Sequence, residues 1–146
     1  MKSTDPLMLA CPGCMTANRV PAERIDEQPK CGKCGAALLE GKPVALDEIS
    51  FDRFLARTGL PVLVDFWAPW CAPCRAMAPA FEQAAMSLRT EVRLAKVDTE
   101  ANPSLASRFG IRAIPTLILF RKGAEAKRMS GALDAAALLR FATAPD

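Results

Sequence analysis

The stretch WAPWCAPCR, Trp67–Arg75, places two cysteines on either side of the dipeptide Ala-Pro. It follows the run PVLVDFW, whose apolar and β-branched residues are typical of a strand buried on both faces. It also opens CAPCRAMAPAFEQAAMSL, in which apolar residues have helical spacing. Cys71 is therefore predicted where a buried strand gives way to a helix. There its sulfur faces unpaired amides and the positive end of the helix dipole, which favour a thiolate.

The spacing of this pair predicts reversible dithiol to disulfide chemistry. A thiolate at Cys71 is the nucleophile for attack on a disulfide, and Cys74, one helical turn further on, is close enough to resolve the mixed disulfide that results. The alternatives are that both cysteines are small buried hydrophobic residues, or that they form half of a metal site. The order of strand, cysteine pair and helix favours the redox interpretation.

The segments around this stretch predict an α/β fold, a central mixed sheet with helices on both faces. The expected element order is βαβαβαββα. The elements are a short strand at 44–46, the helix FDRFLARTG, the strand PVLVDFW, the helix that begins at the cysteine pair, the strand VRLAKVD, the helix NPSLASRFG, the strand TLILF, the strand AEAKRMSG and the helix LDAAALLRFA.

Two further cysteine pairs, CPGC and CGKC, have the spacing of a structural zinc site. Each pair presents two thiolates to one tetrahedral ion, and two pairs close its coordination sphere. The first forty residues contain no aromatic side chain, so we expect them to lack a hydrophobic core and to need the metal to fold. The predicted zinc ligands are Cys11, Cys14, Cys31 and Cys34. The alternative is that these pairs are redox pairs that feed Cys71.

These features divide the chain into a small zinc-ribbon-like module at 1–40, a linker at 41–46 and a second domain at 47–146. The module holds five basic and five acidic side chains, and the whole chain has a net charge of +3. This balance and the lack of stacking aromatics in the module argue against nucleic acid as a partner.

Other classes are excluded by residue types and run lengths. The chain has no histidine, which rules out His-dependent triads and His-containing metal sites. No apolar run is long enough to span a membrane, so no membrane partner is expected. Leu7–Ala10 is too short for a secretory signal, so we expect a cytoplasmic protein. In that reducing compartment, cysteine pairs indicate metal or redox sites rather than a static disulfide framework.

The segment VDFWAPWCAPCRAMAP resembles the active-site segment of thioredoxins, and GIRAIPTLILFRKG resembles their second signature. The likeness covers about Leu46–Ala144. With the four-cysteine module ahead of it, the chain is similar to the bacterial thioredoxin 2 type. The resemblance implies a thioredoxin fold preceded by that module, and a protein-disulfide reductase with no bound organic cofactor. Its implied partners are disulfide-containing client proteins and an NADPH-dependent thioredoxin reductase. The alternative is a zinc-dependent docking or holdase module with secondary redox activity.

The resemblance also implies roles for two charged residues. Asp65 matches the buried aspartate of the family, which is placed to accept a proton from the resolving cysteine, here Cys74. Burial of an isolated carboxylate leads us to expect a raised pKa for Asp65. Lys96 matches a lysine near that aspartate, and the alternative for Lys96 is an ordinary solvated side chain.

A substrate groove is implied as well, around a proline that matches the cis-proline of the family. This is Pro115, and the backbone of the residue before it would meet an extended substrate segment. The residues expected to form or border the groove are Trp70, Ala113, Ile114, Pro115 and Gly131. The chain departs from the family at Ala72 and Ala113, since glycine is the usual residue at both positions.

Overall fold

The computed structural model describes residues 5–145, and these residues form two β-sheets and the helices that pack on them. No helix within this range is long and apolar enough to cross a bilayer. The elements, in chain order, are β1 (Leu7–Ala10), β2 (Ala17–Val20), a 3-10 helix (Ala22–Arg24), β3 (Val44–Leu46), α1 (Phe51–Ala56), β4 (Val62–Trp67), α2 (Ala72–Ser87), β5 (Arg93–Asp98), α3 (Pro103–Arg108), β6 (Thr116–Arg121), β7 (Ala124–Ser130) and α4 (Ala135–Thr143).

The larger sheet has five strands in the order β3-β5-β4-β6-β7. Strands β3, β5 and β4 run parallel, whereas β6 is antiparallel to β4 and β7 is antiparallel to β6. From β3 onward the element order is βαβαβαββα, and the mixed sheet confirms the predicted fold class. The last three residues of the segment predicted as a linker, Val44–Leu46, are the edge strand β3.

Each face of this sheet has its own hydrophobic core. One core contains Val62, Val64 and Phe66 of β4 together with apolar residues of α1 and α3. The other contains Leu63 of β4 with residues of α2 and α4. Because side chains alternate between the faces of a strand, Asp65 points to the same face as Leu63, toward α2.

The amino-terminal module is built on the antiparallel pair β1 and β2. It has a small apolar cluster, so the expectation that this segment lacks a core is wrong. Aliphatic side chains and two cysteines fill the cluster instead of aromatics. Its buried members are Leu9, Cys11, Val20, Cys31, Leu38 and Leu39.

The module lies directly against the larger domain. The backbone amide of Gly59 donates a hydrogen bond to the carbonyl of Met8, with the nitrogen and oxygen 2.7 Å apart. Ala10 is fully buried and belongs to the core between the sheet and α1. The module is therefore packed on the domain rather than tethered to it.

Candidate active site and metal centre

The junction between β4 and α2 positions the central cysteine pair. Cys71 has an extended backbone conformation and is the N-cap of α2, and its sulfur accepts a hydrogen bond from the backbone amide of Cys74 at 3.2 Å. Pro73 lies in the first turn of α2, where a missing amide hydrogen is not a loss. The two cysteines are joined in a disulfide, with their Cα atoms 5.3 Å apart. Both sulfurs lie at the predicted strand-to-helix boundary.

The loop before β6 faces this pair. The peptide bond between Ile114 and Pro115 is cis, as the family resemblance implies. The carbonyl oxygen of Ile114 lies 3.8 Å from the sulfur of Cys71. The backbone amide of Gly131 donates to the carbonyl of Pro115 at 2.8 Å, and its φ of +105° favours glycine. The backbone of this loop therefore lies beside the Cys71 sulfur.

The surface around the sulfurs is partly apolar. Trp70, next to Cys71 in the chain, is 65% exposed, and Ala113 and Gly131 are also exposed. Trp67 is half-buried and packs against the cysteine pair. Of the predicted groove residues, Ile114 lies beside the Cys71 sulfur, and Gly131 is hydrogen-bonded to Pro115.

Asp65 is buried in β4, the strand that leads to the cysteine pair. Only 1% of its surface is exposed, and its Oδ1 has no hydrogen-bond partner among residues 5–145. Burial raises the pKa of Asp65 to about 7, although the positive charge of Lys96 lowers it. Lys96 is the register partner of Asp65 on β5, and its Nζ lies 4.3 Å from the ring centre of Trp67. A carboxyl group with this pKa can exchange a proton at neutral pH.

The four amino-terminal cysteines form a compact cluster. Their sulfurs all lie within 4.8 Å of one another, with 3.5 Å between Cys11 and Cys34 and 3.7 Å between Cys14 and Cys31. Four sulfurs around a tetrahedral zinc ion, each at the usual bond length, would lie about 3.8 Å apart. The donor set and its spacing therefore fit such an ion.

Backbone amides support the same sulfurs. The amides of Gly13 and Cys14 point to the sulfur of Cys11 at 3.3 and 3.5 Å, and the amide of Lys33 points to that of Cys31 at 3.4 Å. Such donors stabilise thiolates and orient them toward a metal.

The pKa values of two thiols in the cluster shift in opposite directions. The backbone amide of Cys34 and the side chain of Asn18 lower the pKa of Cys31 to about 6. The backbone of Ala36 favours the thiolate of Cys34, but the neighbouring sulfurs and burial outweigh it and raise the pKa of Cys34 to about 11. Four thiolates at this distance repel one another, so a cation is needed to hold them all ionised.

Asn18 contributes to this cluster and Arg93 contacts the module beside it, and sequence reasoning missed both. The side chain of Asn18 accepts a hydrogen bond from the amide of Gly32 at 2.9 Å and donates one to the carbonyl of Thr16 at 3.0 Å. It thereby ties the second cysteine pair to the first. An asparagine in a short polar segment gives no signal of this role, whereas Arg93, a charge within an apolar strand, was a visible anomaly.

The two cysteine sites lie at opposite ends of β4. The module contacts Gly59, just before β4, and Arg93, at the start of the parallel strand β5. Cys71 follows the other end of β4, a strand of six residues that spans roughly 17–20 Å. The module is therefore placed away from the redox pair.

The fold and the cysteine pair define a thiol-disulfide oxidoreductase, and comparisons with known proteins agree. The family model "Thioredoxin" matches residues 42–144, and the model "Thioredoxin 2, N-terminal", a zinc ribbon, matches residues 10–36. The chain belongs to the thioredoxin family.

Individual relatives are similar over most of the chain. Thioredoxin C-3 from Corynebacterium nephridii is 47% identical over 127 residues, which is 87% of each chain. A bifunctional thioredoxin reductase/thioredoxin from Mycobacterium leprae is 43% identical over 100 residues, which is 68% of this chain and 22% of that protein. The solved structure of a mutant thioredoxin from Halobacterium salinarum NRC-1 has a TM-score of 0.64 and 32% identity, covering 70% of this chain and 88% of that one.

We expect Asp65→Asn to change how stability depends on pH. Between about pH 4 and pH 7, native Asp65 holds a proton that the unfolded chain has released, so the stability of the wild type falls as the pH rises through this window and stays low above it. Asparagine does not titrate, so the variant does not lose stability in this way as the pH rises. The free energy of unfolding of the variant, minus that of the wild type, should rise by up to about 4 kcal/mol across the window.

Urea denaturation of the oxidised proteins at a series of pH values measures this difference. Glu82→Gln, which changes an exposed carboxylate on α2, is the matched control and should follow the wild type. Parallel curves for Asp65→Asn and the wild type would show that Asp65 does not titrate near neutral pH.

Proposed function

We propose that this protein reduces disulfide bonds in other proteins, with Cys71 as the attacking thiolate and Cys74 as the resolving thiol. The observation that carries this assignment is the position of the Cys71 sulfur. This sulfur caps the amino end of α2, where it accepts a hydrogen bond from the backbone amide of Cys74. It also faces the backbone of Ile114. The helix end stabilises a negative charge on this sulfur once the disulfide is reduced.

The reaction has two exchange steps. The Cys71 thiolate attacks one sulfur of the client disulfide, forms a mixed disulfide and releases the other client sulfur as a thiolate. Cys74 then loses its proton and attacks the Cys71 sulfur, which releases the second client thiolate. The client is reduced by two electrons, and the Cys71–Cys74 disulfide, the form present in this structure, is the product.

Asp65 is the group we assign to receive the Cys74 proton. It is buried on the α2 side of β4, and a pKa of about 7 suits a base that must later return the proton. Lys96 keeps this pKa from rising further, since its positive charge favours the carboxylate. The client segment would lie along Ile114 and Pro115, between exposed Trp70 and Gly131.

The oxidised pair must be reduced again for turnover. We propose that an NADPH-dependent thioredoxin reductase does so in the cytoplasm. Support comes from the relative in Mycobacterium leprae, whose name joins a thioredoxin reductase and a thioredoxin in one chain.

The amino-terminal cluster is proposed to hold one zinc ion in a module at 1–40. Residues 41–46, the last three of which form the edge strand β3 of the larger sheet, join this module to the thioredoxin domain at 47–146. The ligands are Cys11, Cys14, Cys31 and Cys34, whose sulfur spacing supports the assignment. Zinc bound by four thiolates supplies folding energy and no redox chemistry.

Single cysteine variants separate the two proposed roles in exchange. Cys74→Ser should form a mixed disulfide with a client protein that persists, because no resolving thiol follows. Cys71→Ser should form none, and both variants should lose turnover to the uncatalysed rate. Non-reducing electrophoresis and a protein-disulfide reduction assay measure these outcomes. A persistent adduct with Cys71→Ser but not with Cys74→Ser would reverse the assignment.

Metal content tests the zinc assignment. Protein purified without added metal should contain about one zinc per chain by elemental analysis, and Cys14→Ser should contain much less. The double variant Cys71→Ser/Cys74→Ser is the matched control, since it also removes thiols and should keep its zinc. Loss of zinc from this control, or a wild type without zinc, would contradict the assignment.

A further inference from the structure

Arg93 is a buried cation at the contact between the module and the thioredoxin domain. It is the first residue of β5, and only 5% of its surface is exposed. Its guanidinium lies 4.8 Å from the ring centre of Phe54. Charged side chains are almost never buried without partners, so its contacts need an explanation.

The partners of Arg93 are two backbone carbonyls of the module. Its Nη1 donates to the oxygen of Ala10 at 3.3 Å, and its Nη2 donates to the oxygen of Leu38 at 2.9 Å. Ala10 immediately precedes Cys11, and Leu38 lies four residues after Cys34. One planar guanidinium therefore holds both ends of the segment that carries all four cysteines, a geometry for which arginine is suited and lysine is not.

Charge favours the same arrangement. Four thiolates and one zinc dication carry a net charge of −2, and a buried cation nearby offsets part of it. Burial lowers the pKa of Arg93 to about 10, and the charge of Cys11 opposes this shift, so the guanidinium stays charged at neutral pH. The attraction acts across a buried contact, where solvent screens it little.

Arg57 provides an internal comparison. It also donates to the module, from its Nη1 to the carbonyl of Met15 at 2.8 Å, but it is exposed and holds a single oxygen. An exposed bond of this kind is readily replaced by water. The bridge between the two ends of the cysteine segment comes from Arg93.

We propose that Arg93 is a positioning residue for the metal centre, and that its two hydrogen bonds fix the spacing of the cysteine pairs and couple metal binding to the thioredoxin domain. The proposal rests on the zinc assignment above. Because linkage is reciprocal, metal that orders the module also stabilises the bonds to Arg93 and hence the start of β5.

The full-length reduced chain is compared with Arg93→Met, Arg93→Lys and the control Arg57→Met. Competition with a chromophoric chelator gives the affinity for Zn²⁺, and the absorption of the Co²⁺ form reports whether four thiolates still bind. We expect Arg93→Met to lose at least about tenfold in affinity, or 1.4 kcal/mol. Arg93→Lys should lose less, and Arg57→Met should match the wild type. The Co²⁺ spectrum should keep its tetrahedral thiolate bands throughout.

Hydrogen exchange on the wild type gives a second readout that does not depend on a variant folding. Removing zinc with a chelator should speed exchange at the start of β5 as well as in the module. Arg93→Met should break this link, so that metal changes exchange in the module alone. Two results would overturn the role of Arg93. One is an unchanged affinity for Zn²⁺ in Arg93→Met, and the other is a hydrogen-exchange rate at the start of wild-type β5 that does not change when zinc is removed. A wild type that binds no zinc would instead overturn the metal site, and this role with it.

Discussion

The burial of β4 at the centre of the five-stranded sheet constrains the rest of the structure. This strand pairs with β5 on one side and β6 on the other, and its residues from Val62 to Phe66 are all buried. One of these is a carboxylic acid, Asp65, whose pKa rises because water cannot reach it. Cys71 follows the carboxyl end of this strand and is the N-cap of α2. The amino end of the strand lies against the module.

Three cysteine pairs of identical spacing therefore lie in different environments. The central pair meets a helix end and the backbone of Ile114, which suits attack on a disulfide. The other pairs lie in turns whose amides point to sulfur, and the four sulfurs converge at distances that fit one tetrahedral ion. A thiolate bound in a closed metal site is unavailable for disulfide exchange. Identical spacing therefore does not make these cysteines interchangeable.

Sequence patterns predicted the elements of the thioredoxin domain because its central strands are continuous apolar runs and its helices have amphipathic spacing, and the cis bond before Pro115 followed from family resemblance. Burial of Asp65 followed from its place in the apolar run PVLVDFW and from the family resemblance. The four-residue strands β1 and β2 have too little periodicity to be recognised. The bond from Arg93 to Ala10 joins residues 83 positions apart, and the docking of the module depends on such contacts. Local patterns do not encode them.

The central claim, that one spacing serves two kinds of chemistry, is tested most directly by the alkylation rate of each cysteine in the reduced, zinc-loaded, folded chain. Mass spectrometry of peptides after timed exposure to iodoacetamide resolves all six sites. We predict that Cys71 reacts fast, whereas the four amino-terminal cysteines react only after a chelator is added. Cys34 is the most informative of these, because its side chain is exposed and burial does not shield it, provided that the pH is high enough to ionise its thiol once the metal is removed. Reaction of Cys34 as fast as that of Cys71 with zinc still bound would contradict the account.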